Sequence, residues 1–230
     1  MRSEPVVLVH GWGGSFASTW QGTGWEALLQ DAGRSVIGVD LLGHGTAPKP
    51  HEPEAYADLT TRVSEALPAE GPVDAIGFSL GAATLLELAC RVPERFGRIV
   101  VGGTGANLFR EDADGLRRIV DAVSGNGADS DVRSQVFAQY ASQAGNDPQA
   151  LAAVLQRPVH HALTADRLAA ITCPVLVCIG ENDFAGPGEP LTEKLPDAQL
   201  VVLKGTDHFA TPESFKFIDA ALEFLEAVPA

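Results

Sequence analysis

Three residues with chemical potential each follow a different apolar run. They are Ser79 in "GFSLG" (77–81), Asp183 in "IGENDFAGP" and His208 in "KGTDHFATPESF". A serine hydroxyl is a weak nucleophile at neutral pH and needs a base within hydrogen-bond reach. An imidazole can serve if an acid fixes its tautomer and stabilises its charged form. Ser79 stands between Gly77 and Gly81, where an apolar run ends and a helical pattern begins. A sharp strand-to-helix turn of this kind tolerates no bulk two residues to either side. It also aims the N–H groups and positive dipole end of the next helix at the hydroxyl. Taken singly, Ser79 reads as a helix cap, Asp183 as a turn residue and His208 as a loop residue. Taken together at three strand ends, they point to acyl transfer through a covalent serine intermediate.

Acyl chemistry also needs donors for a developing oxyanion. The loop "HGWGG" (10–14) follows the first apolar run, so the N–H of Trp12, paired with that of Leu80, is the candidate. Two aspartates compete to orient His208. Asp207 is its immediate neighbour, but adjacent side chains generally diverge. Asp183, at the end of the preceding strand, is the expected partner.

The elements that must position these groups are legible as runs and periodicities. Six short runs are near-continuously apolar, as strands covered on both faces are. They are Pro5–Gly11, Ser35–Leu41, Val73–Ser79, Arg98–Thr104, Pro174–Gly180 and Gln199–Gly205. Helical segments are expected over Gly24–Ala32, Glu54–Leu67, Leu80–Arg91 and Gly188–Leu195. In the closing helix Thr211 should cap, Pro212 should take the first helical position, and Phe215, Ile218, Leu222 and Leu225 should form one stripe. Alternation of strands and helices implies a doubly wound, mainly parallel sheet of about six strands. The interval from Thr104 to Pro174 breaks the rhythm. Its amphipathic stretches "DGLRRIVDAV", "DVRSQVFAQYAS" and "DPQALAAVLQ" predict a helical cap inserted after the fourth strand.

A chain of 230 residues suits one domain with a modest insertion. The formal net charge of −14 argues against nucleic acid or an anionic membrane as partner. The run Val6–Val9 is too short for a signal-peptide core or a membrane span. Cys90, Cys173 and Cys178 have no metal-like spacing and read as small buried hydrophobes with reduced thiols, which fits a cytoplasmic protein.

The segments "HGWGG" (10–14), "DLLGHG" (40–45), "GFSLG" (77–81), "PVLVCIGEND" (174–183) and "GTDHF" (205–209) resemble the α/β-hydrolase superfamily. The resemblance is to the branch holding small carboxylesterases, enol-lactone hydrolases and carbon–carbon bond hydrolases, in which the triad runs serine, acid, histidine along the chain. It implies a core of residues 1–104 and 164–230 and a cap or lid of residues 105–163. The first strand resembles the family's third, so the family's leading hairpin has no counterpart. By resemblance Ser79 is the nucleophile, His208 the base and Asp183 the acid. Trp12 and Leu80 supply the oxyanion hole, and His44 lies in a loop that buttresses it.

Gly11 and Phe78 are expected to touch substrate; Phe137 and Tyr140 could do so or form cap core. His160, His161 and the cap arginines Arg110, Arg117, Arg118 and Arg133 are left open as pocket residues. The expected partner is a small-molecule ester or lactone, with no metal and no cofactor. Carbon–carbon cleavage or cofactor-free oxygen chemistry on the same scaffold, and a ligand receptor that does not turn over, are the alternatives. Oligomeric state is not legible.

Overall fold

The computed structural model of the chain describes residues 3–127, 131–160 and 162–229. Six parallel strands form one sheet in the order β2-β1-β3-β4-β5-β6. They are β1 (Val6–Val9), β2 (Val36–Val39), β3 (Val73–Phe78), β4 (Phe96–Gly102), β5 (Val175–Gly180) and β6 (Ala198–Leu203). The chain steps outward from β1 to β2, then returns across β1 to β3. The order therefore reverses between β1 and β3, and ligands of open parallel sheets gather beyond the carboxyl ends of strands at such a point. Val9 is in register with Gly77, which sets the loop after β1 beside Ser79.

Alternate residues of the central strands feed two apolar layers. On one face Val7, Val9, Ala75, Ile99, Val101 and Val177 pack with Leu85, Leu86 and Ala89 of α3 (Leu80–Arg91) and Val63 of α2 (Thr60–Ala66). On the other face Leu8, Ile76, Val100 and Leu176 meet Trp25 of α1 (Trp25–Asp31) and Phe217, Ala221 and Leu222 of α9 (Phe215–Phe224). Each fully buried large apolar side chain adds roughly 1.5–3 kcal/mol, so these layers supply the framework's main stabilisation. Cys173 and Cys178 are buried in opposite layers, and burial pushes their thiols up to about 11 and about 12.

Between β4 and β5 run α4 (Ala113–Val123), α5 (Val132–Ala141), α6 (Pro148–Leu155) and the short α7 (Ala165–Leu168). Asp112, Asp131 and Asp147 cap the first three through side-chain oxygens. These helices bury Ile119, Val123, Ala141, Leu151 and Ala152 against one another, with Trp12 and Phe137 at the margin. A single turn, Glu189–Thr192 (α8), precedes β6. Among the described residues no helix is long and apolar enough to cross a membrane.

Several expected elements differ. The segment 54–67 splits into a 3-10 turn, Pro53–Tyr56, and α2, because Asp58 accepts from the N–H and hydroxyl of Thr60 and starts a new helix. The helix expected over 188–195 contracts to α8. Thr211 and Pro212 form a 3-10 turn of their own, and Ser214 precedes α9. Phe215 is consequently 82% exposed, and Phe217 takes its place in the core. Strands β2 and β6 are outer strands with exposed residues such as Gly38 and Val202, so they are not covered on both faces. Their apolar runs mimic central strands because composition carries no signal of position in the sheet.

Candidate active site

The turn that carries Ser79 shows why both flanking glycines are there. Ser79 adopts φ 51°, ψ −112°, a region that ordinary residues avoid. A Cβ on Gly77 would lie 2.7 Å from the Ala82 Cα, and one on Gly81 would collide with the Val9 carbonyl oxygen. The turn is held by Ser79 N–H donating to the Gly102 oxygen at 2.8 Å and by Ala83 N–H donating to the Ser79 oxygen at 3.0 Å. Its hydroxyl is thereby presented at the head of α3.

Three side chains converge there. Ser79 Oγ lies 3.0 Å from Nε2 of His208, and Nδ1 of His208 lies 2.8 Å from Oδ1 of Asp183. The same Asp183 oxygen accepts the Ala185 N–H at 2.8 Å, which fixes the carboxylate. Asp183 and His208 are buried, with 9% and 5% of their surface accessible. The competing aspartate, Asp207, turns away and accepts the Ala210 N–H instead. With Nδ1 donating to the carboxylate, Nε2 is free to accept the serine proton.

Sequence reasoning missed the rings around the imidazole. Phe184 stacks on His208 at 4.2 Å between centroids, Phe78 lies at 5.0 Å, and Phe209 meets it edge-on at 5.4 Å. A signal was present: Phe184 and Phe209 directly follow the aspartate and the histidine. Phe137 is not a pocket wall. It bridges Trp12 at 5.0 Å and Phe209 at 5.9 Å, forming a roof between α5 and the core.

The loop after β1 is anchored from both sides. Trp12 Nε1 donates to the Leu151 oxygen of α6, and the Asn146 amide donates to the Gly13 oxygen. Beneath it, His10 Nδ1 donates to the Gly11 oxygen at 2.7 Å and its Nε2 accepts the Leu41 N–H at 3.1 Å. His44 packs against it, ring centroids 5.0 Å apart. Burial, then the neighbouring His10, lowers the His44 imidazole to about 3, and burial also lowers His10. Both rings are therefore neutral scaffolding. Among the described residues the Trp12 and Leu80 N–H groups donate to no protein acceptor.

A cavity of about 240 Å³ opens beside this loop. Gly11, Trp12, Phe78, Tyr140 and Phe209 line it, with Thr19, Thr23, Gln143 and Glu213 among its polar members. Of the residues left open, His160 is exposed and faces a separate small cavity beside Leu80, while His161 lies outside the described residues. Arg117, Arg118 and Arg133 pair with Asp114, Asp131 and Asp112, and Arg110 donates to the Gly186 oxygen, so none lines the site cavity. Among the described residues no three acidic, histidine or cysteine side chains converge to hold a metal ion.

A sequence model of the alpha/beta hydrolase family matches residues 6–220. The chain belongs to that family. It is similar to the pimeloyl-acyl-carrier protein methyl ester esterase of Nitrosospira multiformis, 28% identical over 235 residues that cover 88% of this chain and 87% of the relative. A shorter match, 35% identical over 128 residues, covers 53% of this chain and 43% of the 2-hydroxy-6-oxo-2,4-heptadienoate hydrolase of Pseudomonas putida. Among solved structures, a hydrolase from Pseudomonas aeruginosa PA01 superposes with a TM-score of 0.75 at 25% identity, covering 98% of this chain and 91% of that one. Relatives of this hydrolase-family member therefore include esterases and a carbon–carbon bond hydrolase.

Proposed function

We propose that this chain is a serine hydrolase that cleaves a small carboxylic ester or lactone through an acyl-enzyme. The observation that carries the reading is the unbroken line Ser79 Oγ, His208, Asp183 Oδ1, mounted on a strained turn beside a cavity. Ser79 Oγ attacks the carbonyl carbon as His208 Nε2 takes its proton. Asp183 holds the imidazole by Nδ1 and stabilises the imidazolium that results. The tetrahedral oxyanion sits between the N–H groups of Trp12 and Leu80, the latter at the positive end of α3. Collapse releases the alcohol, which takes the proton from His208, and leaves an acyl-Ser79. Water activated by the same imidazole attacks this ester and releases the acid. No step calls for a metal or cofactor.

Helices α4 to α6 act in this proposal as a lid, because α5 supplies Tyr140 to the cavity wall and α6 anchors Trp12. A free small substrate fits better than a carrier-protein conjugate. The net charge is −14 and three of the five arginines in residues 105–163 already face aspartates, which leaves little to attract an acidic carrier. Carbon–carbon hydrolysis is the second reading, favoured by the Pseudomonas putida relative.

The test is labelling by a fluorophosphonate followed by steady-state hydrolysis of graded esters, lactones and vinylogous diketones. Wild type should label and turn over esters; Ser79→Ala should lose roughly 10⁴-fold or more in kcat and label no longer. Turnover of diketones alone would transfer the assignment to carbon–carbon cleavage. Labelling without turnover of any substrate would make the chain a receptor.

A further inference from the structure

The cavity beside the loop after β1 reaches the surroundings of Ser79 through Gly11 and Phe78, and it has an electrostatic character that ester hydrolysis does not require. Four aromatic side chains, Trp12, Phe78, Tyr140 and Phe209, contribute to its wall, and Tyr140 and Phe209 stack at 5.1 Å. Among the described residues its only formally charged lining member is Glu213, and Gln143 adds an amide. Burial, then the carboxylates of Glu213 and Asp207, raise the Tyr140 phenol above its ordinary range, so two negative charges act on this wall. Aromatic faces carry negative quadrupole potential and, with a carboxylate nearby, attract amines and quaternary ammonium groups. The same surroundings repel a free carboxylate.

We infer that this cavity receives a positively charged amine or quaternary ammonium group of the substrate, with Glu213 as the specificity-determining carboxylate. The inference rests on the hydrolase reading and narrows it to esters bearing a cation near the scissile bond. Glu213 stands at the exposed rim of the cavity, on the turn Thr211–Glu213 just past His208. The base and the recognition group are thus held by neighbouring stretches of chain, and the cation is placed while the carbonyl meets Ser79.

The experiment uses two pairs of esters matched in size, one with the cation in the alcohol and one with it in the acyl half. They are choline acetate against 3,3-dimethylbutyl acetate, and ethyl 4-(trimethylammonio)butanoate against ethyl 5,5-dimethylhexanoate. In at least one pair, wild type should prefer the cationic member by about tenfold or more in kcat/KM. In Glu213→Gln that preference should fall to about threefold or less. Because the quantity is a ratio within one enzyme, a general loss of activity cancels. Equal rates or a neutral preference in both pairs would overturn the inference, as would a cationic preference that survives Glu213→Gln intact. Calorimetric titration with choline separates the two readings. If no ester turns over, choline binding weakened by Glu213→Gln supports the cation site alone. If esters turn over but choline does not bind and neither pair is discriminated, the hydrolase reading stands and the cation site falls.

Discussion

At the scale of single residues, the proposed chemistry turns on the orientation of one imidazole. His208 has two aspartates within reach along the chain, and only Asp183 meets its Nδ1; Asp207 spends its oxygen on a backbone N–H. Asp183→Asn would reverse the tautomer and should lower kcat by about 10³- to 10⁴-fold, whereas Asp207→Asn should cost less than about tenfold. Measuring both on one activated ester at matched pH decides the matter, and greater damage from Asp207→Asn would dismiss Asp183 as the orienting acid. These residues were legible because nucleophile, acid and base are types that stand out at strand ends. The rings over His208 were marked only by their adjacency to the aspartate and the histidine. Phe184 and Phe209 read as ordinary apolar residues, since stacking depends on where three loops meet. Glu213 was invisible for the same reason: nothing in "TPESF" says that this exposed carboxylate stands at the rim of a cavity.

At the scale of elements, the loops after β1 and β2 form a dry scaffold under the candidate oxyanion hole. His44 is buried with its imidazole lowered to about 3, against 6.5 when unfolded. Between these values the unfolded chain binds the extra proton, so stability is full above about pH 6.5 and declines as pH falls toward 3. Asp40 adds to the same slope. Burial opposes its charge, but donors from Thr46 and Phe16 prevail and keep its carboxyl below the usual range. Denaturant midpoints from pH 7 to 4 should fall more steeply for wild type than for His44→Asn, and parallel slopes would refute this account. The proposed lid makes a separate prediction. Tyr140 lines the cavity, so Tyr140→Ala should change the ratio of kcat/KM for butanoyl over acetyl esters by about tenfold. Equal losses on both would deny the lid a role in selection. The strands and α3 were readable from apolar runs and glycine spacing. The closing helix was misjudged at its start because Thr-Pro signals a helix N-terminus equally well in a 3-10 turn and in an α-helix.

At the scale of the whole molecule, the end of the sheet away from the site is tied by one buried cation. Arg34 donates to Asp74 Oδ2 at 2.5 Å, to the Glu4 oxygen and to the Leu225 oxygen, and so joins the segment before β1, the start of β3 and the end of α9. Both side chains are fully buried. Arg34→Ala removes a buried cation bonded to three segments of the fold and should lower Tm by about 10 °C. The double replacement Arg34→Met with Asp74→Leu should recover much of that loss, because apolar side chains then fill the place of the buried pair. A Tm for Arg34→Ala within the error of wild type would rule the tie out.

The hydrogen bond between His208 and Ser79 spans 129 positions of the chain. On a ribosome adding about 5–20 residues per second, the serine emerges roughly ten seconds before its base is made. During that time the turn can form, but no imidazole is present to take the proton. On the proposed mechanism, newly made chains are therefore chemically silent until their last strand and closing helix dock. Fluorophosphonate added during translation should mark released chains and spare those still tethered, which makes reactivity itself a clock for completion of the fold.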